Sequence, residues 1–267
     1  MAALAAAGCK NDKAPATAEP ATTAKTAEAS PAATAAAPAA AAPRGSFDLA
    51  LPVPAASPTF DVPGARGEPP EEGMTAASYK EMLASEESKV AHEEKLEDGW
   101  AIQFKDSDGL VQTAAYRTIG GKALLCRTAG ETQAQLDKGR ATCLAIRADG
   151  ANLLVPFALL EDSALVGVGS RSLEVARADE SAPKSADEAT ANARTGLKIL
   201  ETKPVTGGFA VAYQTFNGGI EAQGLIYRAA TRAKIGSVDV SCGAWGSPKT
   251  AEDAVAALQA CTSLRAP

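Results

Sequence analysis

His92 is the single histidine of the chain and stands in the run Val90-Ala91-His92-Glu93-Glu94-Lys95. An imidazole beside carboxylates could ligate a metal or act as a general base. Adjacent residues of a helix point in different directions, however, and no second histidine is there to complete a site. A solvated surface histidine is expected. The acidic cluster Glu86-Glu87, Glu93-Glu94 and Glu97-Asp98 lacks the Asp/Asn-Gly pattern of a calcium loop and reads as a solvated helix face. Gly167-Val168-Gly169-Ser170 follows an apolar run, as a dinucleotide-binding turn would. That chemistry also needs a following helix and a strand ending in an acidic residue, whereas an Ala/Pro/Ser stretch follows here. A turn or bulge is the better reading. No serine lies in a G-x-S-x-G context, so a nucleophile elbow is absent. No catalytic residue, metal or cofactor is assigned.

Thiols are the remaining chemistry. Cys126 and Cys143 are 17 residues apart, and Cys242 and Cys261 are 19 apart. Redox-active thiols usually lie two residues apart at a helix N-terminus, where the dipole lowers the thiol pKa. Here the second cysteine of each pair falls near the end of an expected helix, which favours structural bridges.

The elements around these cysteines read as one unit present twice. Residues 98–104 are DGWAIQF and residues 207–213 are GGFAVAY. With Trp100 on Phe209, Lys89 falls on Lys198 and Val90 on Ile199; further on, Tyr116-Arg117 matches Tyr227-Arg228. Each copy then runs through a cysteine, a helical stretch, a second cysteine and a short closing segment. The expected fold is α+β: two tandem copies of a helix, a three-stranded antiparallel sheet and a helix, each with an internal disulfide. In the first copy a charged helix spans 76–91 and strands span 99–105, 110–118 and 122–127, with Gly120-Gly121 as a turn. Thr128 with Glu131 forms a capping box for the last helix. In the second copy Ser247-Pro248 starts the last helix, with Thr250 and Asp253 as the alternative cap.

If the third strand turns back near residue 131, Cys126 lies about 16 Å from the turn along the strand and Cys143 about 18 Å along the helix, so the thiols are level. Cys242 and Cys261 give about 16 and 21 Å by the same estimate. Pairing within each copy follows, and each bridge would contribute roughly 3 kcal/mol.

The N-terminus carries the fifth cysteine, in Ala6-Ala7-Gly8-Cys9. This resembles the lipobox of bacterial lipoproteins, with Ala where Leu is commonest. The resemblance covers only these residues. It implies a thioether lipid on Cys9, an exported chain, and disulfide-permissive surroundings for the other four cysteines. No basic residue and no apolar h-region of about 7–15 residues precede Cys9, so the natural start is expected further upstream. Behind Cys9 the chain is Ala, Pro and Thr with scattered charges. Such a composition buries no face and reads as a tether, partly polyproline II, that would span roughly 150 Å if extended at about 3.1 Å per residue. The expected division is 1–9 signal and lipobox residue, 10–60 tether, 70–148 first repeat, 149–182 apolar connection and 183–267 second repeat. Phe47 to Val53 is apolar enough to dock on the domain. Pro156 weighs against a central strand in the connection.

Net charge is −6 over 267 residues, which argues against nucleic acid as a partner. Aromatic residues make up only 4% of the chain, so the core must rest on Leu, Val and Ile. Two functions remain: a non-catalytic, lipid-anchored envelope protein that binds a protein or small ligand or has a structural role, and an envelope hydrolase with a site between the repeats. An enzyme would gather convergent polar residues in one copy that the other lacks.

Overall fold

The structure is a computed structural model that describes residues 47–193, 196–216 and 224–267. Cys9 and residues 10–46 of the stretch expected as tether (10–60) lie outside the described residues. The fold is mixed α/β, mostly antiparallel sheet with few helices and two disulfides.

The chain enters through β1 (Leu49–Pro54), a hairpin of β2 (Phe60–Val62) and β3 (Ala65–Glu68), and helix α1 (Ala76–Ser85). A meander follows: β4 (Lys89–Leu96), β5 (Gly99–Lys105), β6 (Val111–Ile119) and β7 (Lys122–Thr128). Helix α2 (Gln133–Ala145) and the short β8 (Arg147–Asp149) come next, then β9 (Asn152–Phe157) and a second hairpin, β10 (Ser163–Val168) with β11 (Arg171–Arg177). After α3 (Ala186–Thr190) comes a second meander, β12 (Lys198–Lys203), β13 (Phe209–Phe216), β14 (Leu225–Ile235) and β15 (Val238–Ala244), closed by α4 (Ala251–Ser263).

Instead of separate three-stranded sheets, the strands form one twelve-stranded sheet in the order β12-β13-β14-β15-β11-β10-β2-β3-β7-β6-β5-β4, with a three-stranded sheet β1-β9-β8 beside it. The hairpins β2–β3 and β10–β11 join the meanders: Gly167 and Val168 pair with Asp61 and Phe60. The stretches 60–68 and 149–182, placed outside the repeats by sequence, thus supply the sheet strands β2, β3, β9, β10 and β11. β1 likewise lies within the stretch expected as tether, yet Leu49, Leu51 and Val53 are fully buried. They share a core with Leu153, Val155 and Phe157 of β9, Val166, Leu173 and Val175 of the large sheet, and Leu258 of α4.

The helix expected over 76–91 stops at Ser85. Glu87 takes a left-handed φ of 59°, Ser88 N–H reaches back to Leu83 O (3.0 Å) and Glu87 N–H to Ala84 O (3.3 Å). This is a Schellman ending with Glu in the position that usually signals itself as Gly. His92 and the glutamates after it therefore lie on edge strand β4 and not on a helix face. The cap of α2 also shifts. Thr132 and Gln135 form the capping box, because the Thr128 hydroxyl is occupied by the amide of Thr113 at 2.9 Å. The last helix does not start at Ser247-Pro248: α4 begins at Ala251, with the alternative pair Thr250 and Asp253 as its capping box. Pro156 does sit in β9, opposite Ala50. It lies beyond the end of β8, which pairs only Asn152 to Leu154, so the missing N–H faces no strand.

Cys126 on β7 is bonded to Cys143 on α2, with Cα atoms 5.5 Å apart. Cys242 on β15 is bonded to Cys261 on α4, at 5.6 Å. Each bridge staples a last strand to the helix that follows it.

Candidate functional site

The two faces of the large sheet are covered differently. One face packs on α2, α4 and the small sheet. On the other, α1 seats Tyr79 and Leu83 on Ile102, Phe104, Ala114 and Leu125, and Tyr79 approaches Trp100 with ring centroids 5.3 Å apart. At the far end α3 is tied to β13 by the Tyr213 hydroxyl, which donates to Ala189 O at 3.1 Å. Burial raises the pKa of both tyrosines, Tyr79 against an opposing pull from Arg127.

Between these helices the strands β2, β3, β10 and β11 are open. Strand alternation sends Val166, Leu173 and Val175 into the core and leaves Leu165 52% exposed on the other side. Leu165 stands opposite Glu174 on β11 and Gly167 opposite Ser172. Further across, Glu174 is opposite Gly243 and Ala176 opposite Ser241. On β10, β11 and β15 the floor is thus paved with small side chains, from which Leu165 and Glu174 rise; on β2 and β3 the exposed Asp61 and Arg66 stand beside it. A groove of 820 Å³ runs along α1, lined by Leu165, Asp61, Arg66, Tyr79, Glu86 and Arg127 among others. A second, of 420 Å³, lies beside Glu174, Phe209 and Arg232.

Charges in the grooves are partly locked. Arg66 pairs with Asp61 at 2.9 Å and Arg127 with Glu68. Arg232 pairs with Asp239 at 2.7 Å and donates to Ala182 O. The Asp239 hydrogen bond holds the Arg232 pKa above its ordinary value. Asp179 accepts from the Ser181 hydroxyl at 2.7 Å and from the amides of Ser181 and Ala182. These bonds, the hydroxyl's first, lower its pKa.

A smaller cavity of 330 Å³ lies under the other face, between α2 and the chain at Phe47-Asp48 and residues 158–160. Its Asp48 carboxylate accepts from Leu159 N–H at 2.9 Å and pairs with Arg177, which also binds Asp162 at 2.8 Å. Thr142 is the one hydroxyl in its lining. That is a structural clamp without a nucleophile and base in reach of each other.

No protein-family model matches the chain. No curated protein matches it. Among solved structures it is similar to the immunity protein TplEi of the T6SS of Pseudomonas aeruginosa, in its apo form and with an "L" peptide, and to the Tle4-Tli4 complex. Identity is 11%, the match covers 78% of this chain and 91% of that chain, and the TM-score is 0.37. A likeness at that level transfers neither fold nor function, and the site rests on its own geometry.

Apart from the four cysteines, which meet in their two bridges, the residues singled out in the sequence are not brought together. His92 is exposed on β4 opposite Gln103. Among the described residues no group of three His, Cys, Asp or Glu is placed to hold a metal ion. Gly169-Ser170 form the two-residue turn of the β10–β11 hairpin, with Gly169 at φ 59°. What sequence reading missed is the open face. The sequence signalled only the hairpin, through the Gly169-Ser170 turn and the alternation of Arg171–Arg177; which side stays open was not legible.

Proposed function

We propose that the chain is a non-catalytic, lipid-anchored protein of the bacterial envelope that binds a partner through the open face of its large sheet. The observation that carries this is the uncovered stretch of β2, β3, β10 and β11, with an exposed leucine between two flanking helices. One face of an antiparallel sheet is often solvated, but here the uncovered stretch is recessed between two helices and carries grooves of 820 and 420 Å³, and concave surfaces of this kind are where ligands and partners seat. The lipobox-like Ala6-Ala7-Gly8-Cys9 supports the anchor, and two disulfides support an oxidising compartment. No described helix is long and apolar enough to cross a membrane, so attachment would run through the lipid on Cys9.

The repeat belongs to this proposal, with wider bounds than the sequence suggested. We read residues 49–149 and 152–265 as two copies of a strand, a hairpin, a helix, a four-stranded meander and a helix. Several observations support it. β4 and β12 both carry a register shift, at Val90/His92 and Ile199/Glu201. Gly99 and Gly208 both lie where a Cβ would come within 1.9 Å of a neighbouring carbonyl oxygen. The start of each copy pairs across to the end of the other: Ala50 bridges to Arg265, and β9 pairs with β8. One sequence match fails. Trp100 pairs with Tyr116 but Phe209 pairs with Arg232, so Arg232, not Tyr227, occupies the position of Tyr116. The open face spans the junction of the two copies.

Photo-crosslinking in cells tests the binding reading. A photoreactive residue replacing Ser172 should give adducts with another protein, whereas one replacing Glu252 on α4 should not. Equal yields at both positions, or none at Ser172, would overturn it.

A further inference from the structure

The charge left on the open face points to the chemistry of the partner. Each cation lining the two grooves is neutralised from within: Arg66 by Asp61, Arg127 by Glu68, Arg232 by Asp239 and Arg177 by Asp48 and Asp162. Four carboxylates are not. Glu86 and Glu131 line the groove along α1, Glu174 stands opposite Leu165, and Asp179 lines the second groove with Ser181 and Ala182 as its only hydrogen-bond donors; among the described residues none of them has an ion-pair partner. The exposed leucine therefore shares its groove with the unpaired Glu86 and Glu131 and stands opposite the unpaired Glu174, beside a floor that Gly167, Ser172, Ala176 and Gly243 keep low enough for a backbone to approach.

We infer that the occupant of this face is a segment of another protein in which lysines or arginines flank an apolar side chain. The apolar group would seat beside Leu165, and the cations would meet Glu174 on one side and Glu86 and Glu131 on the other. Complementary charge of this kind fixes register and speeds encounter. An anionic partner such as nucleic acid or an anionic lipid surface would face these carboxylates, while every described cation lining the two grooves is already ion-paired. The inference rests on the open face being the binding surface and adds what binds there.

The test uses the full chain in its own cells, with Leu165 replaced by p-benzoylphenylalanine and the crosslinked peptides sequenced by mass spectrometry. The expected adduct is a peptide from another protein with at least two lysines or arginines within four residues of the linked position. Combining Glu86→Gln, Glu131→Gln and Glu174→Gln should lower its yield about tenfold. Combining Glu71→Gln, Glu72→Gln and Glu252→Gln should leave it unchanged, and circular dichroism should confirm the fold of both triple variants. A protein adduct with an acidic or uncharged flank, or one insensitive to the first triple variant, overturns the basic partner but leaves the face as a binding surface. An adduct with a second copy of this chain at an acidic segment does the same. Loss of protein adducts at both 165 and 172 overturns the two readings together.

Discussion

At the scale of single residues, the structure depends on close approaches that tolerate no added atom. Gly139 of α2 lies against the β2–β3 turn, and a Cβ there would come within 1.7 Å of Gly64 O. Gly139→Ala should therefore push the helix off the hairpin. The expected cost is about 1–3 kcal/mol despite the better helix propensity of Ala, read as a lower midpoint in urea denaturation. Arg117 is the second such point. Its guanidinium binds Asp98 at 2.8 Å and donates to the carbonyls of Cys143, Leu144 and Ile146, closing the C-terminal end of α2, which carries no basic residue in its own last turn. Arg117→Met should cost about 2–3 kcal/mol by orphaning these carbonyls and Asp98. Arg117→Lys should rescue little, since an ammonium lacks the fork. An acid-sensitive contact sits at the other end of the β5–β6 hairpin. Asp106 accepts from Gln112 Nε2 at 2.6 Å and Leu110 N–H at 2.9 Å, and the first of these most strongly lowers its pKa. A depressed carboxylate stabilises the fold above its unfolded pKa, near 3.9, and loses that stabilisation as pH falls through the lower folded value. The difference in melting temperature between the wild type and Asp106→Asn should be constant from about pH 8 to 5 and shrink below about pH 4. A difference growing toward acid would contradict the assignment.

Among the elements, the strand-to-helix staples are the points most open to test. Removing either disulfide should cost about 2–5 kcal/mol and leave the other intact. Mass spectrometry of a non-reduced digest should find Cys126 linked to Cys143 and Cys242 to Cys261, and any peptide joining the two halves would defeat this connectivity. Limited proteolysis is expected to cut before about residue 46 and to spare β1, whose leucines are buried in the shared core. Cleavage between Leu49 and Pro54 as fast as in the tether would show that β1 is not held. These expectations differ from the composition-based boundary near residue 60. Burial decides the difference: the alternation of apolar and small residues in Leu49–Pro54 is short, and two prolines disguise it.

For the molecule as a whole, the crossed pairing of the two halves has a consequence. Because β1 pairs with β9, and Ala50 with Arg265, a fragment ending at residue 150 would expose the apolar faces of β1 and of its own half of the core. Expressed alone it should be aggregated or poorly folded, while co-expression with the fragment 151–267 should restore a soluble complex. Independent folding of both fragments would refute this interdependence. The proposed lipid attachment belongs to the same scale: the protein made in its own cells should take up radioactive fatty acid, and label surviving Cys9→Ser would sink the anchor.

Local chemistry made part of this legible in the sequence. The Gly120-Gly121 turn, the Thr250–Asp253 cap, the strands after Gly99 and the level placement of the thiols depend on residues near one another in the chain. Their periods and spacings therefore carried the information. The four-stranded meander was not legible, because the end of α1 uses a glutamate at φ 59° where glycine would have announced it. Nor could spacing show that the inner hairpins fuse two meanders into one sheet, since the contact of Gly167 with Asp61 joins residues more than a hundred positions apart. The open face arises from that fusion. Leu165 looks like one more core leucine in a run of apolar residues, and only the register of β10 between β2 and β11 turns it toward solvent. The sequence by itself determined the local elements and which cysteines could meet. The tertiary structure alone decided which side of the sheet stays uncovered, because covering a face depends on where distant helices come to rest.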